Sequence, residues 1–226
     1  MNEFLFLIAT VCCLGLVVLM YRLFGKIGLY AWSAIAAVLV NLITPKCITL
    51  FGLATSAGNI LYASTFLVTD ILSENHTHQE ARKCVLIGGI GTLCYLAVSQ
   101  VTLLFTPNEY DFISNSMRDV FSLAPRLTIA SVACYFVSNM LDTYLYKWLS
   151  KRTSKIWIKN NVATMTSQFL DSVLFTLFAF AGIMPTRGLI EFAITLCLLK
   201  FFVAILDTPF AYLGKIIYTN FHRNKQ

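Results

Sequence analysis

Of the 226 residues, 58% are hydrophobic and only 12% are charged, and the mean hydropathy is +0.72. Soluble domains carry about 25% charged residues, so this composition excludes a soluble globular protein. The net charge of +6 does not indicate nucleic-acid binding, because the basic residues cluster in loops beside apolar segments.

Seven segments are apolar and long enough to cross a hydrocarbon core of about 30 Å, which takes about 20 helical residues. In chain order they are approximately residues 4–21, 27–44, 51–73, 83–106, 125–149, 164–184 and 189–218. We therefore predict an all-α polytopic membrane protein with about seven transmembrane helices, six plus an extra N-terminal one. These segments leave no room for a second domain, so residues 1–226 are expected to form one membrane domain.

The basic residues of the loops predict the orientation, because cytoplasmic loops carry an excess of Lys and Arg. If the loop after the first segment is cytoplasmic, twelve basic residues face the cytoplasm: Arg22, Lys26, Arg82, Lys83, Lys147, Lys151, Arg152, Lys155, Lys159, Lys215, Arg223 and Lys225. Four face the opposite side: Lys46, Arg118, Arg126 and Arg187. The expected topology has the N-terminus outside and the C-terminus in the cytoplasm.

Two acids, Asp70 and Glu74, lie near the end of the third segment and share one helical face. Earlier turns of the same face carry Asn59, Tyr62 or Ala63, and Phe66. An ionisable group inside hydrocarbon costs roughly 3 kcal/mol, so intramembrane acids usually have a function. We interpret this face as part of a substrate site. The alternative is an Asp70 that only pairs with a basic residue or ends a helix.

The sixth segment carries a second polar stripe. At helical spacing it contains Asn161, Thr164, Gln168, Asp171 and Phe175, with Ser167 and Ser172 beside them. Such residues also join membrane helices by hydrogen bonds worth only about 0.6 kcal/mol each. A carboxylate is not needed for that purpose, so Asp171 favours a polar cavity that it shares with Asp70.

Three further charged residues lie within predicted spans. Lys200 and Asp207 are seven residues apart and therefore share a face, and Lys200 needs an acidic partner, either Asp207, Asp171 or Asp70. For Asp142, a structural ion pair with a nearby lysine is as probable as a ligand contact. We assign Lys200, Asp207 and Asp142 to structural ion pairing or to gating of the path.

Sequence patterns of known catalytic sites are missing. The three histidines, His76, His78 and His222, all lie in predicted loops, and the seven cysteines form no CxxC pair. The chain has no HExxH helix and no GxxxxGK[ST] phosphate loop. We therefore expect neither an enzyme nor a bound metal or other cofactor.

Three stretches resemble the bacterial queuosine precursor transporters, the VUT family: GNILYASTFLVTDILSE followed by EARK, KNNVATMTSQFLDSVLFTLFAFAG, and LLKFFVAILDTPFAYL. The resemblance covers nearly the whole chain. It implies an inner-membrane importer of a 7-deazaguanine compound used to make the queuosine of tRNA: 7-cyano- or 7-aminomethyl-7-deazaguanine, or queuine. The implied partners are this small molecule and the lipid bilayer, without nucleic acid, and a homo-oligomer is left open.

The resemblance also identifies characteristic positions, which fall on Asn59, Asp70, Glu74, Arg82, Asn161, Ser167, Gln168, Asp171, Ser172, Lys200 and Asp207. One departure is His76-Thr77, where the family commonly has Tyr-Gly. That change alters a predicted cytoplasmic turn, and its effect on the choice among precursors is open.

The polar residues suit a deazaguanine, whose ring N–H and amino groups lie beside a carbonyl. The carboxylate of Asp70 or Asp171 can accept both donors in a two-point contact. The carbonyl can be bound by Asn59, Gln168 or Asn161, and the ring can stack on Tyr62, Phe66 or Phe175.

A second function remains possible on the sequence alone. The chain could be the substrate-binding membrane subunit of a system energised by a separate ATPase. Ser33 and Ala37, small residues spaced by four in the second segment, could then form the face on which a partner helix docks.

Overall fold

A computed structural model describes residues 1–152 and 156–223 of the chain. Within them the elements are α1 (Asn2–Phe24), α2 (Lys26–Ile43), β1 (Cys47–Leu50), β2 (Leu53–Ser56), α3 (Asn59–Asn75), α4 (His78–Leu104), α5 (Ser114–Phe121), α6 (Ala124–Ser150), α7 (Ile156–Phe180) and α8 (Thr186–Arg223). The predicted fold class is confirmed: the chain is an all-α polytopic membrane protein.

Each of the seven predicted spans coincides with a helix, namely α1 to α4 and α6 to α8. Among the described residues, α1, α2 and Gln79–Leu104 of α4 are long and apolar enough to cross a membrane by length and composition alone. The apolar stretch Met165–Phe180 of α7 is shorter. With 17 residues, α3 extends about 25 Å, which is less than the hydrocarbon thickness.

The prediction that the third span begins near residue 51 is wrong, because β1 and β2 form an antiparallel hairpin before α3 starts at Asn59. Leu50 pairs with Leu53, so Phe51 and Gly52 form a two-residue turn in which both have positive φ, 51° and 80°. Turns of this kind match the twist of the flanking strands, and Gly accommodates positive φ without steric cost.

The hairpin is attached to the start of α1. The carboxylate of Glu3 accepts the backbone N–H of Phe51 at 3.1 Å, and the amide of Asn2 donates to the carbonyl of Thr49 at 3.1 Å. Behind the turn, the buried side chain of Leu50 belongs to a small apolar cluster with Phe6 and Leu199. The hairpin therefore contacts both the first and the last helix of the bundle.

The main apolar core lies between α1, α2 and α3, with α8 packed against it. Its fully buried members include Leu14, Leu29 and Leu67. A second core joins the start of α6, the end of α7 and the first turns of α8, and contains Leu127 and Phe192. The polar cluster described below lies on α3, α6, α7 and α8.

The small residues of α2 pack inside the chain. The hydroxyl of Ser33 donates to the carbonyl of Cys84 on α4 at 3.1 Å. A Cβ added at Gly88 of α4 would lie 2.9 Å from Ser33 Oγ and 3.8 Å from the Cβ of Ala37. The face that the sequence offered for docking a partner is thus occupied by α4.

The connection between α4 and α6 contains the short helix α5. The hydroxyl of Ser114 and the backbone N–H groups of Ile113 and Ser114 all donate to the carboxylate of Asp111. These hydrogen bonds hold the pKa of the Asp111 carboxyl below its usual value. The carboxylate is therefore ionised at neutral pH, where it supports the start of α5.

Candidate functional site

A small cavity of about 10 Å³ lies between α3 and α8. Its lining consists of Asn59, Tyr62, Ala63, Phe66, Leu199 and Lys200. A space of this size holds about one water molecule. The rings of Tyr62 and Phe66 pack edge to face with their centroids 4.9 Å apart. Two aromatic rings and two polar side chains therefore meet at one point in the bundle.

Lys200, one of the lining residues, forms an ion pair between two helices. Nζ of Lys200 on α8 lies 2.5 Å from Oδ2 of Asp171 on α7, and the two side chains are only 12% and 16% exposed. The hydroxyl of Ser138 on α6 donates to the other carboxylate oxygen, Oδ1, at 3.1 Å. Each oxygen of Asp171 therefore has a partner.

The ion pair is connected to the aromatic wall. Nζ of Lys200 lies 6.0 Å from the centroid of the Tyr62 ring, at the outer limit of a cation–π contact. Cys134, a buried residue one turn before Ser138 on α6, is close enough to both charges to interact with them electrostatically. One polar cluster thus joins α3, α6, α7 and α8.

Gln168 lies one turn before Asp171 on α7. Its Oε1 atom is buried and has no hydrogen-bond partner among the described residues. An unsatisfied buried polar atom costs about 1–3 kcal/mol, so Gln168 Oε1 is an acceptor that a hydrogen-bond donor would stabilise.

At the N-terminal end of α3, the hairpin supports the cavity. The amide of Asn59 donates to the hydroxyl of Thr55, a fully buried residue of β2, at 3.0 Å. Leu199, which lines the cavity, packs in the same cluster as Leu50 of β1. Thr55 and Leu199 were not among the predicted site residues; Thr55 was placed in the third membrane span, and Leu199 is an ordinary apolar residue of the seventh. The available indication was Gly52, which favours a tight turn.

The structure brings together five of the predicted site residues. These are Asn59, Tyr62 and Phe66 of α3, Asp171 of α7, and Lys200 of α8. Of the three acids proposed as partners of Lys200, Asp171 makes the ion pair. Lys200 lines the cavity and Asp171 does not, so the lysine lies at the cavity surface with the carboxylate beside it.

Other predicted residues lie apart from this cluster. Asp70 and Glu74 are exposed on the last turns of α3 and are not among the residues that line the cavity. Phe175 packs against the second core, with its ring centroid 6.2 Å from that of Phe180. The side chains of Asp142, Asn161 and Asp207 lie outside the described part of the structure.

A bundle of apolar helices with a largely buried Lys–Asp pair beside a small cavity defines a multi-pass membrane protein. Residues 56–214 match the family described as "Putative vitamin uptake transporter", and the chain belongs to that family. It is also similar to a Bacillus subtilis (strain 168) protein named "Probable queuosine precursor transporter". The two are 34% identical over 212 residues, which cover 92% of this chain and 93% of that protein. No solved structure matches the chain.

Proposed function

We propose that this protein is a carrier that imports a queuosine precursor across the cell inner membrane for tRNA modification. The substrate would be 7-cyano- or 7-aminomethyl-7-deazaguanine, or queuine. The observation that carries the proposal is the 34% identity, over nearly the whole length of both chains, to a protein named as a probable transporter of such a precursor. No catalytic role is proposed for any residue.

The polar cluster supplies the chemistry that such a base requires. In the proposed complex, the carboxylate of Asp171 accepts the adjacent N–H donors of the base. The side-chain amide of Gln168 or Asn59 donates to the neighbouring carbonyl, and the ring stacks on Tyr62 or Phe66. A site built from hydrogen-bonding groups rejects bases that leave those groups unpaired, which gives selectivity for the deazaguanine edge.

The acidic residues at the end of α3 extend this site toward one side of the membrane. Asp70 and Glu74 follow Phe66 by one and two helical turns on the same face, and both are exposed. In the proposed orientation, with the N-terminus outside and the C-terminus in the cytoplasm, this end of α3 faces the cytoplasm. We propose that Asp70 and Glu74 contact the base on its way out of the cavity.

The packing of α2 favours a carrier that works without an ATPase. Ser33 and Ala37, the residues that would have formed a docking face, are covered by α4 of the same chain. No other described feature calls for an energising subunit.

The test is uptake by the chain alone. A host that cannot synthesise the precursor and lacks its own importer is supplied with each candidate compound, and the queuosine content of its tRNA is measured. Wild-type protein is expected to restore queuosine with at least one of the three compounds. A host that carries an equal amount of the Asp171→Asn variant is the control. If no compound restores queuosine in any host that expresses the protein, the proposed function is wrong.

A further inference from the structure

The cavity is too small for the proposed substrate. A volume of about 10 Å³ holds about one water molecule, whereas a bicyclic base is many times larger. Binding therefore requires that at least one lining side chain move. Of the six lining residues, Lys200 has the longest flexible stem, with four rotatable carbons between backbone and charge.

The ion pair also blocks the group that the substrate would use. The carboxylate of Asp171 already accepts from Lys200 at 2.5 Å on one oxygen and from Ser138 at 3.1 Å on the other, which uses about two of its four lone-pair sites. Because Lys200 lines the cavity and Asp171 does not, a base in the cavity meets the ammonium group before it meets the carboxylate. From the cavity, a two-point contact with Asp171 therefore requires that Lys200 move aside.

We propose that Lys200 is a displaceable counter-ion. It pairs with the carboxylate of Asp171 until the substrate binds there and displaces it. This inference rests on the proposed function and adds the step by which the site opens. The ring of Tyr62, 6.0 Å from Nζ, offers the ammonium group an aromatic face when it leaves the carboxylate. The pair neutralises the largely buried carboxylate, which would otherwise lie uncompensated in a low-dielectric interior.

Displacement of Lys200 would couple substrate binding to a movement of α8 relative to α7. Lys200 follows Leu199, which packs against Leu50 of the hairpin. Releasing Lys200 from α7 removes the charged contact between α7 and α8 at the cavity and enlarges the space between α3 and α8. The substrate thus replaces an intramolecular contact that keeps the cavity closed.

The experiment replaces the ammonium group of Lys200 by ethylammonium, a free cation in solution. The Lys200→Ala variant is purified in detergent with ethylammonium chloride, and the Kd for 7-cyano-7-deazaguanine is measured by calorimetry at rising ethylammonium concentration. If the substrate and the cation compete for Asp171, the apparent Kd for the base should rise at least tenfold across the titration. Once ethylammonium saturates its site, this Kd should increase in proportion to the ethylammonium concentration. A Kd that falls or stays constant would mean that cation and base bind together or at different places, and would overturn the inference.

Two controls identify the competing site. Wild-type protein should show a constant Kd in ethylammonium, because its own lysine already occupies the carboxylate. Potassium chloride at equal ionic strength should leave the variant unchanged. If wild-type protein fails to bind 7-cyano-7-deazaguanine, 7-aminomethyl-7-deazaguanine and queuine alike, the proposed function fails and the inference with it. If wild-type protein binds but competition is missing from the variant, only the inference fails.

A second variant covers the case in which Lys200→Ala does not fold. Lys200→Arg keeps the positive charge, and its planar guanidinium can bind a carboxylate through two parallel hydrogen bonds. A counter-ion that holds Asp171 more firmly should be harder to expel, so we expect a Kd at least tenfold higher than wild type with an equal yield of folded protein. A Kd equal to that of wild type would contradict displacement.

Discussion

Gly214 of α8 lies directly against Ile71 of α3. A Cβ added at Gly214 would stand 2.9 Å from Cγ1 and 3.1 Å from Cδ1 of Ile71. Because Ile71 is only 1% exposed, its side chain has no free space into which to rotate. Two helices that form one wall of the bundle thus approach each other at a position where only glycine fits.

We therefore expect Gly214→Ala to lower stability. Overpacking of a filled core costs about 1–3 kcal/mol, against a gain in helix propensity of at most about 1 kcal/mol. The matched control is Gly89→Ala in α4, since a Cβ there meets nothing within 4 Å. Thermal unfolding in detergent should show a lower Tm for Gly214→Ala and an equal or higher Tm for Gly89→Ala. Equal behaviour of the two variants would mean that α3 and α8 are less closely packed.

The buried ion pair predicts a pattern of stability across three variants. Lys200→Met leaves Asp171 without its cation, and breaking a buried pair by removing one partner costs about 3–5 kcal/mol. Asp171→Asn leaves the ammonium unpaired and should be similarly destabilised. The double variant removes both charges and should recover much of the loss. The yield of folded protein after membrane extraction measures this, and normal yield and transport by Lys200→Met would show that the lysine is solvated.

Arg126 at the start of α6 is predicted to stabilise the end of α7. Its Nε donates to the carbonyl of Phe178 at 2.8 Å, and its Nη2 donates to the carbonyl of Ala181. Carbonyls at a helix end have no partner within the helix, so a cationic donor there is favourable. Arg126→Gln should cost about 1–3 kcal/mol, measured as a lower Tm.

The control for that substitution is Arg187→Gln. Arg187 is 91% exposed, and among the described residues it pairs with Glu191, one turn along α8, at 3.0 Å. Exposed pairs of this kind contribute about 0–1 kcal/mol. If Arg187→Gln lowers the Tm as much as Arg126→Gln does, the hydrogen bonds of Arg126 to the carbonyls at the end of α7 contribute no more to stability than an exposed ion pair.

How far the sequence predicts this structure depends on the range of the interactions involved. Helix positions follow from local hydrophobicity, and the shared face of Tyr62 and Phe66 follows from helical period, so both were predicted correctly. The hairpin was missed because its residues are as apolar as a span, and only the turn at Gly52 distinguishes it. Pairing between helices is not encoded locally, which is why three acids were equally good partners for Lys200.

Topology is a separate prediction, based on the twelve-to-four distribution of basic residues between the two sides. A reporter fused after Lys155 should lie in the cytoplasm, and one inserted near Asn115, at the start of helix α5, should lie outside. Paired alkaline phosphatase and fluorescent protein fusions give opposite responses on the two sides. Finding both positions on the same side would rule out seven crossings.

The last prediction separates the two acidic positions of the proposed path. Asp171→Asn replaces a carboxylate oxygen by an NH2 group, which would face the N–H donors of the base instead of accepting from them. Losing a hydrogen bond to a charged group costs about 1.5–3 kcal/mol, so the affinity for 7-cyano-7-deazaguanine should fall about ten- to a hundredfold. Because Asp171→Asn also unpairs Lys200, its affinity is measured only on the fraction that elutes as folded protein.

Asp70→Asn should behave differently, since Asp70 is exposed and lies outside the cavity lining. On the proposed path it contacts the base after release from Asp171, so the variant should slow transport while the Kd of purified protein changes by less than about threefold, or about 0.7 kcal/mol. Calorimetric Kd values and initial uptake rates in proteoliposomes, measured on the same preparations, distinguish the two roles. A tenfold loss of affinity in Asp70→Asn would bring Asp70 into the binding site itself. Wild-type affinity in folded Asp171→Asn would move the site away from the α7–α8 ion pair.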